Sequence, residues 1–170
     1  MNRRQMFSVI VAAPLVGAQT KQPSIRERIL GSWDLISWDE TTAATGEITY
    51  PCGKNAVGQI IYDASGRMSA QIMNPERREV GGQSRVNLSW VKELSGAQAL
   101  DVLSGFISYF GLFKVDEAKG IITHHVNGDI KPGTAGADKF RSADFLTKDR
   151  ILLKYPNGPN ENRLIWERAR

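Results

Sequence analysis

The sequence has only one cysteine and two histidines among its 170 residues. Cys52 has no second cysteine to pair with, so an internal disulfide is excluded and stability must come from an apolar core. His124 and His125 are adjacent, and on a strand adjacent side chains point to opposite faces, so they cannot bind one ion together. The acidic residues show no metal-ligand spacing. We therefore expect no metal site and no cofactor.

Sequence motifs of the common enzyme classes are also missing. The chain has no Gly-x-Ser-x-Gly elbow, no phosphate-binding Gly-rich loop, no dinucleotide fingerprint and no close pair of catalytic carboxylates. Cys52 lies between Pro51 and Gly53 in a turn without a basic neighbour, so we interpret it as an incidental thiol. Whether the protein is an enzyme stays open on these grounds.

The first eighteen residues have the pattern of an export signal. Arg3 and Arg4 precede an apolar run over 7–17 that is too short to span a bilayer, and small or compact residues at 16–18 offer a cleavage site after Ala18. The paired arginines favour the twin-arginine route, with the general secretory route as the alternative. We expect residues 1–18 to be removed and the protein to be exported, to the periplasm.

One domain over 19–170 is expected after cleavage. No cysteine stands at the cleavage point, so we predict no lipid anchor and no stable membrane attachment of the mature protein. Removing Arg3 and Arg4 from the 22 basic residues leaves 20 against 18 acidic ones, a net charge of +2 instead of +4. This small, scattered excess argues against a nucleic-acid partner. Homo-oligomer formation stays open.

The mature chain reads mainly as short strands. Runs rich in β-branched and aromatic residues alternate with turn chemistry, which predicts an up-and-down antiparallel β-barrel. The predicted strands are Ser32–Asp39, Gly58–Tyr62, Arg67–Met73, Leu112–Asp116, Gly120–Asn127, Lys139–Phe145, Arg150–Tyr155 and Arg163–Arg168. Apolar residues at helical spacing between Ser95 and Phe110 predict one helix packed against or across the barrel. Glu76–Asn87 has the composition of a long loop.

Several motifs in order resemble the bacterial lipocalin-like domain family over Ile25 to Arg170. They are Gly31-Ser32-Trp33 through Trp38, Thr49-Tyr50-Pro51-Cys52-Gly53, Val57-Gly58 through Tyr62, Gly66 through Gln71, Tyr109-Phe110-Gly111 through Asp116, and Thr123-His124-His125-Val126. The resemblance implies a lipocalin-like β-barrel whose Gly-x-Trp tryptophan plugs the closed end. It also implies an arginine over that tryptophan, which we assign first to the last strand, at Arg163 or Arg168. Cys52 and Phe110 depart from the family pattern, which commonly has Tyr and Cys there.

The barrel interior is the expected binding site. The candidate ligand-binding residues combine apolar surface with a few polar groups: Tyr62, Met68, Gln71, Met73, Tyr109, His124, His125, Asn127 and Arg141. This composition suits a flat or elongated, partly oxygenated organic molecule, with Arg141 or His125 available for a carboxylate, phenolate or carbonyl oxygen. The sequence does not decide which histidine faces inward, and the inward one has the alternative role of a hydrogen-bonded core residue.

Three functions follow from these features. The first is an exported protein that binds a small hydrophobic molecule. The second is a cofactor-free isomerase or cyclase in the same cavity, with His125 as the catalytic acid and base. The third is a barrel that serves protein association. An open interior with few ionisable groups favours the first, His125 facing that interior beside Tyr or Arg favours the second, and a filled barrel with an exposed apolar patch favours the third.

Overall fold

The computed structural model describes residues 22–77 and 88–170, and within these residues the chain forms nine strands and three short helical segments. The strands are β1 (Gly31–Thr41), β2 (Ile48–Thr49), β3 (Val57–Tyr62), β4 (Arg67–Met73), β5 (Phe106–Asp116), β6 (Ile121–Asp129), β7 (Asp138–Phe145), β8 (Arg150–Asn157) and β9 (Asn160–Arg168). The helical segments are α1 (Ile25–Ile29), α2 (Gly96–Ser104) and a 3-10 helix (Leu88–Glu93). The predicted signal over 1–18 and most of the predicted loop, 78–87, lie outside the described residues.

The strands form one closed antiparallel barrel. Neighbours in the chain pair in the order β1, β3, β4, β5, β6, β7, β8, β9, and β9 pairs back to β1 from Trp33↔Arg168 to Thr41↔Glu161. β2 adds a short strand to the far end of β1. The predicted mainly β, up-and-down barrel is confirmed.

Local sequence explains the clearest strand boundaries. β3 and β4 are joined by 63–66, where Gly66 has a φ of +91°, a conformation that favours glycine, and the amide of Gly66 donates to the Asp63 carbonyl. β4 then buries Met68, Ala70 and Ile72 at every second position. Its predicted bounds agree with the structure.

The predicted helix is shorter than its periodicity indicates. Ser95 caps α2 through a capping box with Gln98, and the helix ends at Gly105. Ile107 and Phe110 belong instead to β5, where they pair with Ile72 and Ser69 of β4. The five residues from Phe106 to Phe110 are aromatic, β-branched or small, and ladder pairing with β4 outweighs their helical spacing.

α1 and its neighbours close one end of the barrel. The indole of Trp33 is fully buried and donates to the Ile29 carbonyl at 2.7 Å. Arg168 lies 4.2 Å from the Trp33 ring and donates to the carbonyls of Leu30 (2.8 Å) and Arg28 (2.7 Å). The predicted last-strand arginine over the tryptophan is therefore Arg168. No helix in 22–77 or 88–170 is long and apolar enough to cross a membrane.

Candidate functional site

A cavity of about 600 Å³ occupies the half of the barrel opposite α1. It opens at the end where β4 stops, β5 begins and β7 begins. Its lining is mostly apolar and aromatic, with cationic groups on β7 and in the loop before it. The lining residues are Trp38, Ile60, Ala70, Ile72, Ile107, Tyr109, His124, Lys131, Asp138, Lys139, Phe140, Arg141, Leu153, Tyr155, Pro156, Asn157, Leu164 and Trp166.

A hydrogen-bonded histidine forms part of the cavity wall. His124 is fully buried, and its Nε2 lies 2.8 Å from the Tyr62 hydroxyl while its Nδ1 lies 3.0 Å from the Tyr109 hydroxyl. A neutral imidazole has one N–H donor and one acceptor nitrogen, so one tyrosine donates to the ring and the other accepts from it. Burial holds the pKa of His124 well below its usual value, and the charges of Arg141 and Lys139 lower it further.

The two tyrosines stay protonated for the same reason. Burial raises the pKa of Tyr62 well above its usual value, and burial also raises the pKa of Tyr109. Tyr62, His124 and Tyr109 therefore form an uncharged hydrogen-bonded group at neutral pH. Both ring nitrogens of His124 are already occupied within this group.

Lys139 reaches into the cavity beside Tyr109. Its ammonium is 2.6 Å from Asp129 Oδ2 and 4.1 Å from the Tyr109 ring centre. The Asp129 carboxylate is almost fully buried, with 5% of its side chain exposed, and its pKa is lowered by hydrogen bonds to Lys131 and Lys139 although burial opposes this. The positive charge of Lys139 is thus balanced within the wall.

A seam separates β7 from β8 beside Arg141. The two strands pair from Phe145↔Ile151 only as far as Ser142↔Lys154. Continuing that register would place Phe140 opposite Pro156, which has no N–H to donate. The Phe140 carbonyl instead accepts from Arg141 Nη1 at 2.8 Å.

Arg141 crosses this seam and also contacts Tyr155. The guanidinium lies 4.0 Å from the Tyr155 ring centre, and burial raises the pKa of Tyr155 to about 12. A second hollow of about 360 Å³ on the outer surface shares Phe140, Tyr155 and Pro156 with the cavity. The cavity wall is therefore thin along this seam.

Two tryptophans of the wall differ in how their indole N–H groups are bonded. Trp38 donates to Asn162 Oδ1 at 2.7 Å, and Asn162 in turn donates to Glu40. Trp166 is 2% exposed, and its Nε1 has no acceptor within the described part of the chain. Trp166 thus carries an indole N–H that is buried without an acceptor among the described residues.

The predicted ligand-binding residues divide into three groups. Tyr109, His124 and Arg141 line the cavity as predicted. Tyr62 and Met68 point inward but lie in the packed core outside the lining, with Tyr62 reaching His124. The predicted interior position is wrong for Gln71, Met73 and Asn127, and of the two histidines, between which the sequence did not decide, His125 is the one that faces outward.

Strand alternation explains these four outward positions. On β4 the buried positions are Met68, Ala70 and Ile72, so Gln71 and Met73 lie on the outer face. On β6 the buried positions include His124 and Val126, so His125 and Asn127 are exposed. The His125 side chain points away from the cavity, and its Nδ1 lies 2.8 Å from Asp138 Oδ1.

Several lining residues were not predicted. Lys139 could have been found from β7, because it stands two residues from Arg141 and so shares its face. Trp38, Tyr155 and Trp166 could not, since their place depends on the bulge of β1 between Leu35 and Ser37 and on the pairing of the last strands. In 22–77 and 88–170 no group of three or more His, Cys, Asp or Glu side chains could hold a metal ion.

Comparison with known proteins gives one family match. The model of the family described as a lipocalin-like domain matches residues 30–169. No curated protein matches the chain. The matched range includes all the strands of the barrel and every residue of the cavity wall.

Proposed function

The chain belongs to the lipocalin-like domain family, and from that premise we propose that it binds a small apolar, partly oxygenated organic molecule in the open half of its barrel. The observation that carries this proposal is the cavity of about 600 Å³, whose size lies within the usual range of small-molecule sites. Its wall is built largely from Ile, Leu and aromatic side chains, while Trp33, Tyr62 and Phe113 belong to the buried core of the opposite half of the barrel.

The polar groups of the wall support a ligand with oxygen functions. The Arg141 guanidinium has five N–H donors, and the Phe140 carbonyl and the Tyr109 hydroxyl use two of them. Acceptor atoms on the ligand would pair with such donors, whereas a pure hydrocarbon would leave them unsatisfied. A partly oxygenated molecule fits both features of the wall.

The isomerase or cyclase alternative proposed His125 as the catalytic acid and base, and His125 does not reach the cavity. His125 lies outside the barrel on Asp138, and the inward His124 has both nitrogens engaged by tyrosine hydroxyls. The association alternative expected a filled barrel, whereas this one is open. Binding is therefore the function that the geometry supports best.

We also propose that this binding takes place after export to the periplasm. The support is the sequence pattern of residues 1–18, with paired arginines before a short apolar run. Amino-terminal sequencing of the protein recovered from a periplasmic extract tests this proposal. A mature start near Gln19 supports it, and recovery of the uncleaved chain from the cytoplasm alone contradicts it.

Titration with N-phenylnaphthylamine, an uncharged dye that fluoresces in apolar surroundings, tests the binding proposal. Trp38 and Trp166 both line the cavity, so bound dye should quench tryptophan emission as its own emission rises. The variant Ala70→Phe fills the cavity from β4, where Ala70 is 2% exposed. We expect it to weaken dye binding at least about tenfold, which corresponds to about 1.4 kcal/mol.

Ser69→Phe is the matched control, because Ser69 is the adjacent residue on the outer face of the same strand. It should bind the dye like the unaltered protein. Ile72→Phe provides a second filling variant if Ala70→Phe does not fold. Equal dye binding by the filling variants and the control, or no dye binding by the unaltered protein, would refute the proposal.

A further inference from the structure

We infer that the molecule bound in the cavity is an organic acid whose carboxylate is held by Arg141; this inference rests on the proposed function and narrows its ligand class. The charged residues of the wall are Lys131, Asp138, Lys139 and Arg141. Lys139 is balanced by Asp129 at 2.6 Å, and Asp138 contacts His125 on the outer surface at 2.8 Å. Lys131 lies in the loop at the mouth. Arg141 is the cation of the wall that lies deepest along β7.

Arg141 has neutral partners only, in the part of the chain that the structure describes. These are the Phe140 carbonyl at 2.8 Å, the Tyr109 hydroxyl, to which the guanidinium is hydrogen-bonded, and the face of the Tyr155 ring at 4.0 Å. No carboxylate of residues 22–77 or 88–170 lies within ion-pair distance of its guanidinium. A half-buried cation without a counter-ion is unfavourable, and a ligand carboxylate would supply that counter-ion.

The shape of the guanidinium favours a carboxylate over a single oxygen. Its five N–H donors lie in one plane, and two of them match the two oxygens of a carboxylate. One donor is used by the Phe140 carbonyl and another by the Tyr109 hydroxyl, and the guanidinium lies over the Tyr155 ring, so its plane is fixed at the seam between β7 and β8. A fixed plane lowers the entropic cost of binding a flat acid group.

The other walls decide where the apolar part of the acid lies. Trp38, Ile60, Leu164 and Trp166 form the apolar wall on β1, β3 and β9, none of which pairs with β7. His124 brings no positive charge to this region, because its depressed pKa and its two tyrosine partners keep it neutral. The cavity is therefore cationic on one side and apolar on the other, which fits an acid group attached to an apolar or aromatic body.

Displacement of N-phenylnaphthylamine by naphthoate and by naphthamide tests the inference. The two competitors have nearly the same shape, but only naphthoate carries a charge. We expect the unaltered protein to prefer naphthoate at least about tenfold, the size of one charge-assisted hydrogen bond after conversion to affinity. Arg141→Gln should reduce that preference to less than about twofold while the dye still binds.

Lys154→Gln is the matched control for charge. Lys154 is a cation of the same seam, but it faces the outer hollow and pairs with Asp144 at 3.1 Å. It should keep the preference for naphthoate. Dye binding with equal displacement by both competitors, with displacement by neither, or with a preference that survives in Arg141→Gln overturns the inference and leaves the binding function standing. Absence of dye binding by the unaltered protein refutes the binding function itself.

Discussion

Buried His124 should make the folded protein less stable in acid. His124 is fully buried between two tyrosines with a pKa well below its usual value, while His125 is exposed on the outer face. In the unfolded chain His124 regains a pKa near 6.5. Above that pH the imidazole is neutral in both states, so its contribution to stability is complete. As the pH falls below it, the unfolded chain gains a proton that folded His124 does not take up, and stability decreases.

The size of this loss of stability is set by the one proton that the unfolded chain binds and the folded chain does not. For a folded pKa far below the range studied, the free energy of unfolding falls by up to about 1.4 kcal/mol between about pH 7.5 and about pH 5.5. His124→Gln removes this titration while keeping one donor and one acceptor. Urea unfolding at the two pH values, for the unaltered protein and for the variant, measures the difference.

His125→Gln is the control, because it removes the neighbouring histidine from the outer face of the same strand. We expect it to keep the acid sensitivity that His124→Gln loses. His124→Gln should be less stable than the unaltered protein at both pH values, since two buried hydrogen bonds are altered, but this offset does not affect the slope. An unchanged acid sensitivity in His124→Gln, or its loss in His125→Gln, would refute the reasoning.

Two further predictions concern stability, and urea unfolding checks both. In Gly111→Ala the new Cβ would lie 1.9 Å from the His125 carbonyl oxygen at the bulge between β5 and β6, so we expect the free energy of unfolding to fall by about 3 kcal/mol. The control is Gly96→Ala, whose Cβ would have nothing within 4 Å, and its free energy of unfolding should not fall. Equal effects of the two variants would contradict the clash. Arg168→Gln removes two charge-assisted bonds to Arg28 and Leu30 and should lower stability by about 2 kcal/mol. Arg150→Gln, which breaks an exposed pair with Glu167, should lower it by less than about 1 kcal/mol, and a loss as large as that of Arg168→Gln would argue against the role of Arg168 at the closed end.

Turn chemistry made most of the fold predictable from sequence. β4 was predicted with its full bounds because Gly66 and Pro75 mark both ends and its side chains alternate between faces. The start of β5 was missed because apolar residues at helical spacing continue past Gly105, and only pairing with β4 makes Phe106 to Phe110 a strand. The spacing of apolar residues is compatible with more than one secondary structure, and pairing with a neighbouring strand determines which one forms.

The site was less predictable because it depends on register. Choosing Met68 as inward excludes Gln71 and Met73 by alternation alone, so part of the error could have been avoided from sequence. The orientation of His124 and His125 required a fixed face for β6, which the pairing of β5 with β6 supplies. The seam beside Arg141 depends on Phe140 and Pro156 standing opposite one another, which no single segment reveals.

The closed end of the barrel also determines how the domain can be attached to something else. α1 begins at Ile25 and β9 finishes at Arg168, and the bonds from Arg168 to Arg28 and Leu30 bring these two ends together on the side away from the mouth. β9 has nine residues, so the mouth lies up to about 30 Å away along the strand. A linker, a solid support or a fused partner joined at either end of the domain would therefore hold the barrel by its base, and its entrance would face freely outward.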